Sequence, residues 1–429
     1  MTSTRWISRP GPEITPLQAL ARIADHSEIA CLIGEQSASL TWLHDRIATP
    51  ALPPERWLHG IAKAGDTIAR MRQAPAPSLH GWGKTWGDVP AESAFVQLDY
   101  EFPTVTPRVL SAPHLARWDA EGRCTLVGID MDTLDFMAEK LSDETTVNDD
   151  FGLASPLIPA WNDAAHAEKV ERVRTWIAAG DCYQANLAVP FHARLRPGRH
   201  RDIAAFRQLM TVSPAPFAGF FRSSGRPSVI SHSPECFLSQ RERKIVSVPI
   251  KGTRRRQAGH DDAVRAELSA APKDAAELAM IIDLVRNDLG RVAIPGSVQV
   301  IDPGHLIDLA YVHHRAARVE ATLRTDITLA DAILAGFPAG SITGAPKLRA
   351  MQILKELEGA PRGAYCGAFG WIGAHGGDLA VAIRTASISD DQLTFHAGGG
   401  IVWDSRPAAE WDEVLAKVSG FAQAMGAAR

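Results

Sequence analysis

The chain has 429 residues, of which 45% are hydrophobic and 22% are charged. This composition is ordinary for a globular protein with a large core. The formal net charge of -4 at pH 7 argues against a dedicated nucleic-acid-binding protein. The N-terminus has no apolar segment of signal-peptide length, and no stretch approaches the ~20 apolar residues that cross a membrane. We therefore expect a cytoplasmic protein with neither nucleic-acid nor membrane partners.

The five cysteines are too far apart in sequence to suggest a zinc site or a redox pair. They are Cys31, Cys124, Cys182, Cys236 and Cys366. We expect them to be reduced and mostly buried, as in other cytoplasmic proteins.

The chain divides into two regions of different character. Residues 1–150 are rich in tryptophan and proline, with strand-like segments at 29–33 and 94–98 and a helical pattern at 132–141. After a polar connector at 142–162, residues 160–425 are more ordered. Their first predicted elements are helices at 163–179 and 203–209 and strands at 182–190, 217–221, 227–231 and 244–250. Irregular alternation with hairpin-like spacings favours an α+β fold with antiparallel sheets over a doubly wound parallel sheet.

Lys251 is a candidate amine nucleophile. It lies at the end of the predicted strand 244–250 and is followed by Gly252, which lets a ligand approach closely. Arginines 254 to 256 follow, and like charges nearby favour a neutral amine, so we expect a lowered pKa for Lys251. A solvated basic turn is the alternative that this segment alone does not exclude.

Acidic side chains occur on two predicted helices. Residues 273–291 form a largely apolar helix that we expect to be buried, in which Asp274 and Glu277 resemble a capping box; Glu277 is either a cap or a ligand. On the helix around 408–418, Glu410 and Glu413 share one face and offer oxygen ligands suited to Mg²⁺. The alternative for Glu413 is an ion pair with Lys417 four residues later.

Three further segments offer places for an anion. Gly398 to Gly400 follow a predicted strand and either expose backbone N–H groups or form a tight turn. Residues 337–347, with Ser341 and Thr343, lead into a helix whose N-terminus suits an anion. Arg384 closes an apolar strand and is suited to hold a carboxylate, or else to form a structural salt bridge.

Six segments of this chain resemble, in the same order, the motifs of the chorismate-utilising enzymes. The segments are 249–253, 273–291, 340–347, 362–368, 382–385 and 398–402. This family includes anthranilate, aminodeoxychorismate, isochorismate and salicylate synthases, and the resemblance covers residues ~160 to 425. It implies a two-lobed antiparallel β-sandwich core surrounded by helices, with residues 1–150 completing the sandwich of the chorismate-binding region 160–425.

Two positions relate the chain to one branch of that family. Lys251 is similar to the aminodeoxychorismate synthases, because anthranilate synthases typically carry alanine there. Hydrolytic relatives use a water-activating lysine near Gln184, and residues 180–187 contain no lysine. The resemblance therefore implies amination of chorismate at carbon 4 to give 4-amino-4-deoxychorismate, on the route to 4-aminobenzoate and folate.

The resemblance also implies roles for individual residues. Lys251 would form a covalent adduct and Glu235 would be the general acid. Glu277, Glu413 and nearby Glu410 would hold Mg²⁺ against the ring carboxylate of chorismate. Substrate-contacting positions would be Thr343, Tyr365, Arg384, Gly398, Gly399, His314 and Gln184.

The source of ammonia and the competing functions remain open at this stage. No glutamine-amidotransferase nucleophile motif is evident, so ammonia would come from a separate glutaminase subunit or from solution. Anthranilate synthase is the nearest alternative function. A non-catalytic binding module would be expected to lack an acid or a metal ligand, yet Lys251, Glu235, Glu277, Glu410 and Glu413 are all present.

Overall fold

The computed structural model describes most of the chain. The described residues are 7–27, 29–33, 38–42, 94–111, 114–118, 123–128, 130–142, 152–257, 259–309, 312–373 and 376–426. Within these ranges, no helix is both long and apolar enough to span a membrane. All five cysteines are buried and free, as predicted.

The helices of the described residues fall mainly in the second region. They are α1 Pro16–Arg22, α2 Met131–Ser142, α3 Asp163–Ala178, α4 Arg201–Val212, α5 Asp261–Ala270, α6 Pro272–Gly290, α7 Leu329–Gly336, α8 Lys347–Glu358 and α9 Pro407–Ala424, with a 3₁₀ turn at Gly340–Ile342. The helices predicted at 132–141, 163–179 and 203–209 are confirmed to within a turn at each end. The helix at 273–291 buries only one stripe, not its whole surface as predicted.

One large antiparallel sheet, sheet A, contains strands from both ends of the chain. Its strands are β1 Ile7–Pro10, β2 Ile29–Ile33, β3 Ala38–Trp42, β6 Leu115–Trp118, β7 Cys124–Gly128, β8 Ile158–Pro159, β9 Gln184–Arg194, β10 Phe217–Ser223, β11 Arg226–Ser233, β17 Gly344–Ala345, β20 Thr385–Ser389 and β21 Gln392–Ile401. The order is β1-β7-β6-β3-β2-β10-β11-β20-β21-β9-β17, with β8 also beside β9.

A second antiparallel sheet, sheet B, carries the segment around Lys251. Its strands are β4 Ala94–Leu98, β5 Arg108–Ser111, β12 Cys236–Arg241, β13 Lys244–Val248, β14 Ile250–Arg255, β15 Gln299–Asp308, β16 Val312–Thr322, β18 Ala368–Gly373 and β19 Gly376–Val381. The order is β14-β16-β13-β12-β19-β18-β4-β5, with β15 also beside β16. Residues before 150 therefore supply strands to both sheets, whereas the domain boundary itself stays a prediction.

The two sheets pack face to face through aromatic side chains. Phe221 of sheet A and Phe369 of sheet B are both fully buried, and their ring centroids lie 6.1 Å apart in an edge-on arrangement. A Cβ at Gly219 would lie 2.5 Å from the Phe369 ring, so this close approach requires glycine. Outside the sandwich, α6 packs on β14 and β16, α8 on β9, and α9 on β21. The predicted α+β sandwich is confirmed.

A buried ion pair joins the N-terminal segment to sheet A. Arg222 donates two hydrogen bonds to Asp202, at 2.5 and 2.9 Å, and two more to the backbone oxygens of Ala24 and His26. Burial opposes ionisation of Asp202, but the bonds from Arg222 and Ser228 hold its pKa below the usual value. This pair therefore stabilises the fold above the ordinary carboxylate pKa, and the contribution is lost as the pH falls through the lowered pKa.

We predict that Arg222→Met lowers the free energy of unfolding by about 3 kcal/mol, because it leaves the Asp202 carboxylate buried without its cation. The exposed pair Arg199–Asp25, in which 84% and 76% of the side chains are accessible, provides the control. Arg199→Met should change stability by less than ~1 kcal/mol. Urea unfolding at pH 7 measures both, and equal effects of the two substitutions would contradict the prediction.

Candidate active site

Lys251 lies in a β-bulge at the start of β14. The sequence analysis placed Lys251 at the end of a single strand. In the structure, Pro249 separates β13 from β14, and Lys251 lies inside β14. Ile250 pairs with Ala316 and Thr253 with His314, so β14 has one residue more than its partner over this stretch. A bulge of this kind locally re-aims side chains and is common near active sites.

Gly252 makes the bulge possible. Its φ of 85° is in the left-handed region, which glycine adopts without steric cost. A Cβ at this position would also lie 3.0 Å from the side chain of Asp274 on α6. The glycine after Lys251 is therefore explained by backbone conformation and by the close packing of α6, in addition to the ligand access that we predicted.

Burial lowers the pKa of Lys251, while the carboxylates Glu277 and Glu235 oppose that shift. The direction agrees with the prediction, but the predicted cause is wrong. Arg254 is held by ion pairs to Glu267 and Asp274, and the arginines that follow Lys251 do not lower its pKa. Partial removal from water disfavours the charged form of the amine relative to a lysine in solution.

Glu235 lies between β11 and β12 and is 3% exposed. Burial raises the pKa of Glu235 to about 7, despite opposing effects of the Ser341 hydroxyl, the charge of Lys251 and the backbone N–H of Ile250. The hydroxyl of Ser341 donates to Oε1 of Glu235 at 2.5 Å. A carboxyl group of raised pKa and an amine of lowered pKa therefore influence each other at this site, which is a suitable arrangement for acid-assisted nucleophilic chemistry.

Glu277 is not a helix cap. Helix α6 starts after Ala271 without a side-chain cap, and Asp274 instead accepts a hydrogen bond from Arg254. The capping-box prediction is therefore wrong. Burial raises the pKa of Glu277, and the nearby charges of Lys251 and Lys273 counteract this effect. With the capping role excluded, Glu277 is a half-buried carboxylate available to a cation.

Glu410 and Glu413 converge on Gly399 of the neighbouring strand β21. A Cβ at Gly399 would lie 3.3 Å from Oε2 of Glu410 and 3.5 Å from Oε1 of Glu413. Glu410 is buried and accepts a hydrogen bond from Ser405 at 2.7 Å. The absence of a side chain at Gly399 thus leaves space in front of two carboxylates.

Lys417 lies beside these two carboxylates. The sequence analysis considered it only as an ion-pair partner of Glu413 and gave it no role at the site. Its Nζ donates to Oε1 of Glu413 and to the backbone oxygen of Gly398, both at 2.7 Å. The ion pair expected from the spacing of four residues is therefore present. Burial raises the pKa of Glu413, but Lys417 overcomes this and holds it below the usual value.

The carboxylates are a reasonable fit for Mg²⁺. In the described residues, no group of three His, Cys, Asp or Glu side chains is arranged to hold a metal alone. Glu413 and Glu277 nevertheless influence each other and Lys251 electrostatically, and Gly399 leaves room beside Glu413. Mg²⁺ commonly binds one or two protein carboxylates and completes its shell with water and substrate oxygens.

The glycines 398 to 400 are not a tight turn, since they lie inside β21 and pair with β9. On the other side of β21, β20 is paired only as far as Phe395. Arg384, with φ 51°, directly precedes β20 at this point. In the described residues, the edge of β21 next to the glycines therefore has no strand partner, which leaves backbone groups for a ligand.

Arg384 has no carboxylate partner in the part of the chain that is described. Its Nη2 lies 3.4 Å from Nε2 of His314, and Nδ1 of His314 lies 2.9 Å from the hydroxyl of Thr253. Burial and the charge of Arg384 lower the pKa of His314 to about 3, so the ring is neutral. A guanidinium beside a neutral histidine is free to bind an anion. The structural salt bridge that the sequence analysis considered for Arg384 is not found among the described residues.

Three other residues were predicted to contact the substrate, namely Thr343, Tyr365 and Gln184. The Thr343 hydroxyl donates to the backbone oxygens of Ala339 and Gly340, and the Ser341 hydroxyl donates to Glu235. The Tyr365 ring stacks on His396 at 5.1 Å. Gln184 is 1% exposed and its amide lies against Gly400, where a Cβ would be 1.9 Å away. Their predicted contacts with substrate stay predictions.

The profile of the chorismate binding enzymes matches residues 124–423. The chain belongs to the chorismate-binding enzyme family.

The relatives of this chain include two kinds of synthase. Aminodeoxychorismate synthase component 1 of Klebsiella aerogenes is 44% identical over 257 residues, which are 59% of this chain and 56% of the relative. The protein of that name from Escherichia coli is 39% identical over 65% of this chain and 61% of its own length. Anthranilate synthase component 1 of Geobacillus stearothermophilus is 41% identical over 63% of this chain and 56% of its own length. The match thus spans somewhat more than half of each relative.

Two solved structures share the fold over nearly the whole chain. The menaquinone-specific isochorismate synthase of Escherichia coli has a TM-score of 0.77 at 17% identity, covering 98% of this chain and 94% of that one. Anthranilate synthase component I of Streptococcus pneumoniae has a TM-score of 0.71 at 23% identity, covering 98% and 93%. At these identities the similarity supports the fold alone.

We predict that Gly399→Ala weakens Mg²⁺ binding severalfold without unfolding the chorismate-binding enzyme, because the methyl group would occupy the space between Glu410 and Glu413. Titration calorimetry with MgCl₂ measures the affinity. Gly420→Ala is the control, since a Cβ at Gly420 on the same helix as the two carboxylates meets nothing within 4 Å. Unchanged Mg²⁺ affinity in folded Gly399→Ala would contradict the placement of the ion.

Proposed function

We propose that this protein aminates chorismate at carbon 4 with ammonia, giving 4-amino-4-deoxychorismate and water through a covalent Lys251 adduct. The observation that carries the proposal is the pairing of a partly buried lysine of lowered pKa with a buried glutamate whose pKa is raised to about 7. Each pKa is thereby shifted in the direction that the proposed role needs.

In the first half of the reaction, the neutral Nζ of Lys251 forms a bond to ring carbon 2. The ring double bonds shift, and the bond between carbon 4 and its hydroxyl oxygen breaks as Glu235 protonates the departing hydroxyl to water. In the second half, ammonia bonds to carbon 4, the double bonds shift back, and the bond to Lys251 breaks. The ionised Glu235 is then available to accept the proton that ammonia loses, which restores the acid for the next cycle.

The two substrate carboxylates have separate candidate positions. The enolpyruvyl carboxylate would bind Arg384, which has no carboxylate partner in the described residues, and the open β21 edge at Gly398 and Gly399. The ring carboxylate would face Glu277 and Glu413, where direct contact between like charges is unfavourable. Mg²⁺ held by these residues, with Glu410 nearby, would neutralise that repulsion and stabilise developing negative charge.

Ammonia is proposed to come from a separate glutamine amidotransferase subunit. The relatives named component 1 support this, since the name implies a second component. Gln184 stands near the place where hydrolytic relatives use a lysine, and its neutral amide offers no base to activate water. This difference favours ammonia over water as the incoming nucleophile.

Anthranilate synthesis is the second candidate, because anthranilate synthase component 1 from Geobacillus stearothermophilus is 41% identical to this chain. Lys251 separates the two proposals. An amine aimed at the substrate has a direct role in a covalent mechanism, whereas direct addition of ammonia at carbon 2 needs space where that amine lies.

We predict that the purified chain, given chorismate, Mg²⁺ and an ammonium salt at mildly alkaline pH, forms aminodeoxychorismate. Lys251→Ala should reduce the rate by at least ~100-fold, because it removes the nucleophile. Chromatography with mass detection identifies the product. Lys244→Ala, which removes an exposed lysine on the preceding strand, should retain the wild-type rate.

Several outcomes of that experiment would count against the proposal. Anthranilate or isochorismate from the wild type would exclude the proposed product while leaving the family assignment intact. If no product forms, a glutaminase component with glutamine is added. Continued absence of product would then reject the proposed activity and favour a non-catalytic binding protein.

We also predict that the rate falls as the pH rises through the pKa of Glu235, about 7, because the general acid must carry its proton. Glu235→Gln should lower the rate by ~100-fold or more and abolish this descending limb. The pH profile must be recorded at constant free ammonia, since ammonium itself titrates. A descending limb that persists in Glu235→Gln would assign it to another group.

A further inference from the structure

Ser341 is buried in the 3₁₀ turn Gly340–Ile342 and lies against the proposed general acid. It is 5% exposed and Glu235 is 3% exposed. The bond of 2.5 Å from Ser341 Oγ to Glu235 Oε1 is at the short end of the range for O–H···O contacts. Two buried polar groups are therefore joined by a strong contact that water does not weaken.

The backbone of Glu235 is held as firmly as its side chain. Its N–H donates to the Ser233 hydroxyl at 3.2 Å, and its carbonyl oxygen accepts from the N–H of Val381 at 3.0 Å. The carboxyl group interacts with the Ser341 hydroxyl and with the backbone N–H of Ile250. The bond from Ser341 makes Oε1 an acceptor and restricts rotation of the carboxyl group.

We propose that Ser341 is a positioning residue that keeps the acidic proton of Glu235 on Oε2, the oxygen that Ser341 does not contact. This inference rests on the proposed function, in which Glu235 protonates the leaving hydroxyl. A hydrogen that Oε1 accepts from Ser341 excludes the carboxyl proton from that oxygen. The same bond stabilises the ionised form, which limits the rise in pKa that burial produces.

The surroundings show why a hydroxyl is needed at this place. Glu235 and Ser341 line a cavity of ≈ 20 Å³, which is about the size required by one water molecule. Asp288 of α6 lines the same cavity, but its carboxylate is paired with Lys347 at 2.6 Å and Arg291 at 2.9 Å. The charged group that acts directly on Glu235 is Lys251. Without Ser341, the carboxyl group would be free to turn toward this cavity.

The test compares Ser341→Ala, Ser341→Thr and wild type by the pH dependence of kcat at constant free ammonia. Ser341→Ala should lower kcat roughly tenfold and move the descending limb up by roughly one pH unit, because the ionised carboxylate loses a donor. Ser341→Thr keeps the hydroxyl and should restore both. If Ser341→Ala does not fold, Ser341→Cys replaces it, since a thiol is a weak donor of similar shape.

A structural role for Ser341 would give a different result. Lower activity with an unmoved descending limb would overturn the proposal, as would a variant that matches wild type in both respects. Infrared difference spectra against Glu235→Gln report the carbonyl stretch of protonated Glu235 directly. That titration should move upward in Ser341→Ala even if wild type forms no product from chorismate, which separates failure of this inference from failure of the proposed function.

Discussion

The site depends on one constraint, which is that ionisable side chains are shielded from water at the junction of β14, α6 and β12. A lysine and two glutamates are placed where ionisation is unfavourable, and each is displaced from its usual protonation behaviour: the pKa of Lys251 falls and those of Glu235 and Glu277 rise. Their mutual attraction offsets part of this cost. In solution these groups would all be charged at neutral pH, and neither the nucleophile nor the acid would be available.

The sandwich provides the geometry that burial alone would not. The extra residue in β14 re-aims Lys251, and the left-handed Gly252 allows α6 to approach closely. Gly399 leaves room in front of Glu410 and Glu413, while the end of pairing between β20 and β21 frees one strand edge beside Arg384. Catalytic groups, metal ligands and anion-binding groups thus come from different elements of two sheets, so that the fold assembles a site that no single segment contains.

The sequence pattern predicted the elements and most of the candidate residues, because hydrophobic periodicity and short motifs are local properties. It failed where the answer depends on tertiary contacts. The arginines after Lys251 suggested a cause for its lowered pKa, yet Arg254 is paired with acidic residues and burial is the actual cause. Asp274 suggested a capping box but bonds across to Arg254. The bond from Ser341 to Glu235 joins residues 106 positions apart and has no local signal.

The covalent adduct is the central claim, and intact-mass spectrometry tests it most directly. Wild-type protein mixed with chorismate and Mg²⁺ in the absence of ammonia should gain the mass of chorismate less one water. Peptide mapping should place that gain on Lys251, and Lys251→Ala should show none. Product formation on addition of ammonia with no adduct at any time, together with full activity of Lys251→Ala, would contradict the account and favour direct attack of ammonia on the bound substrate.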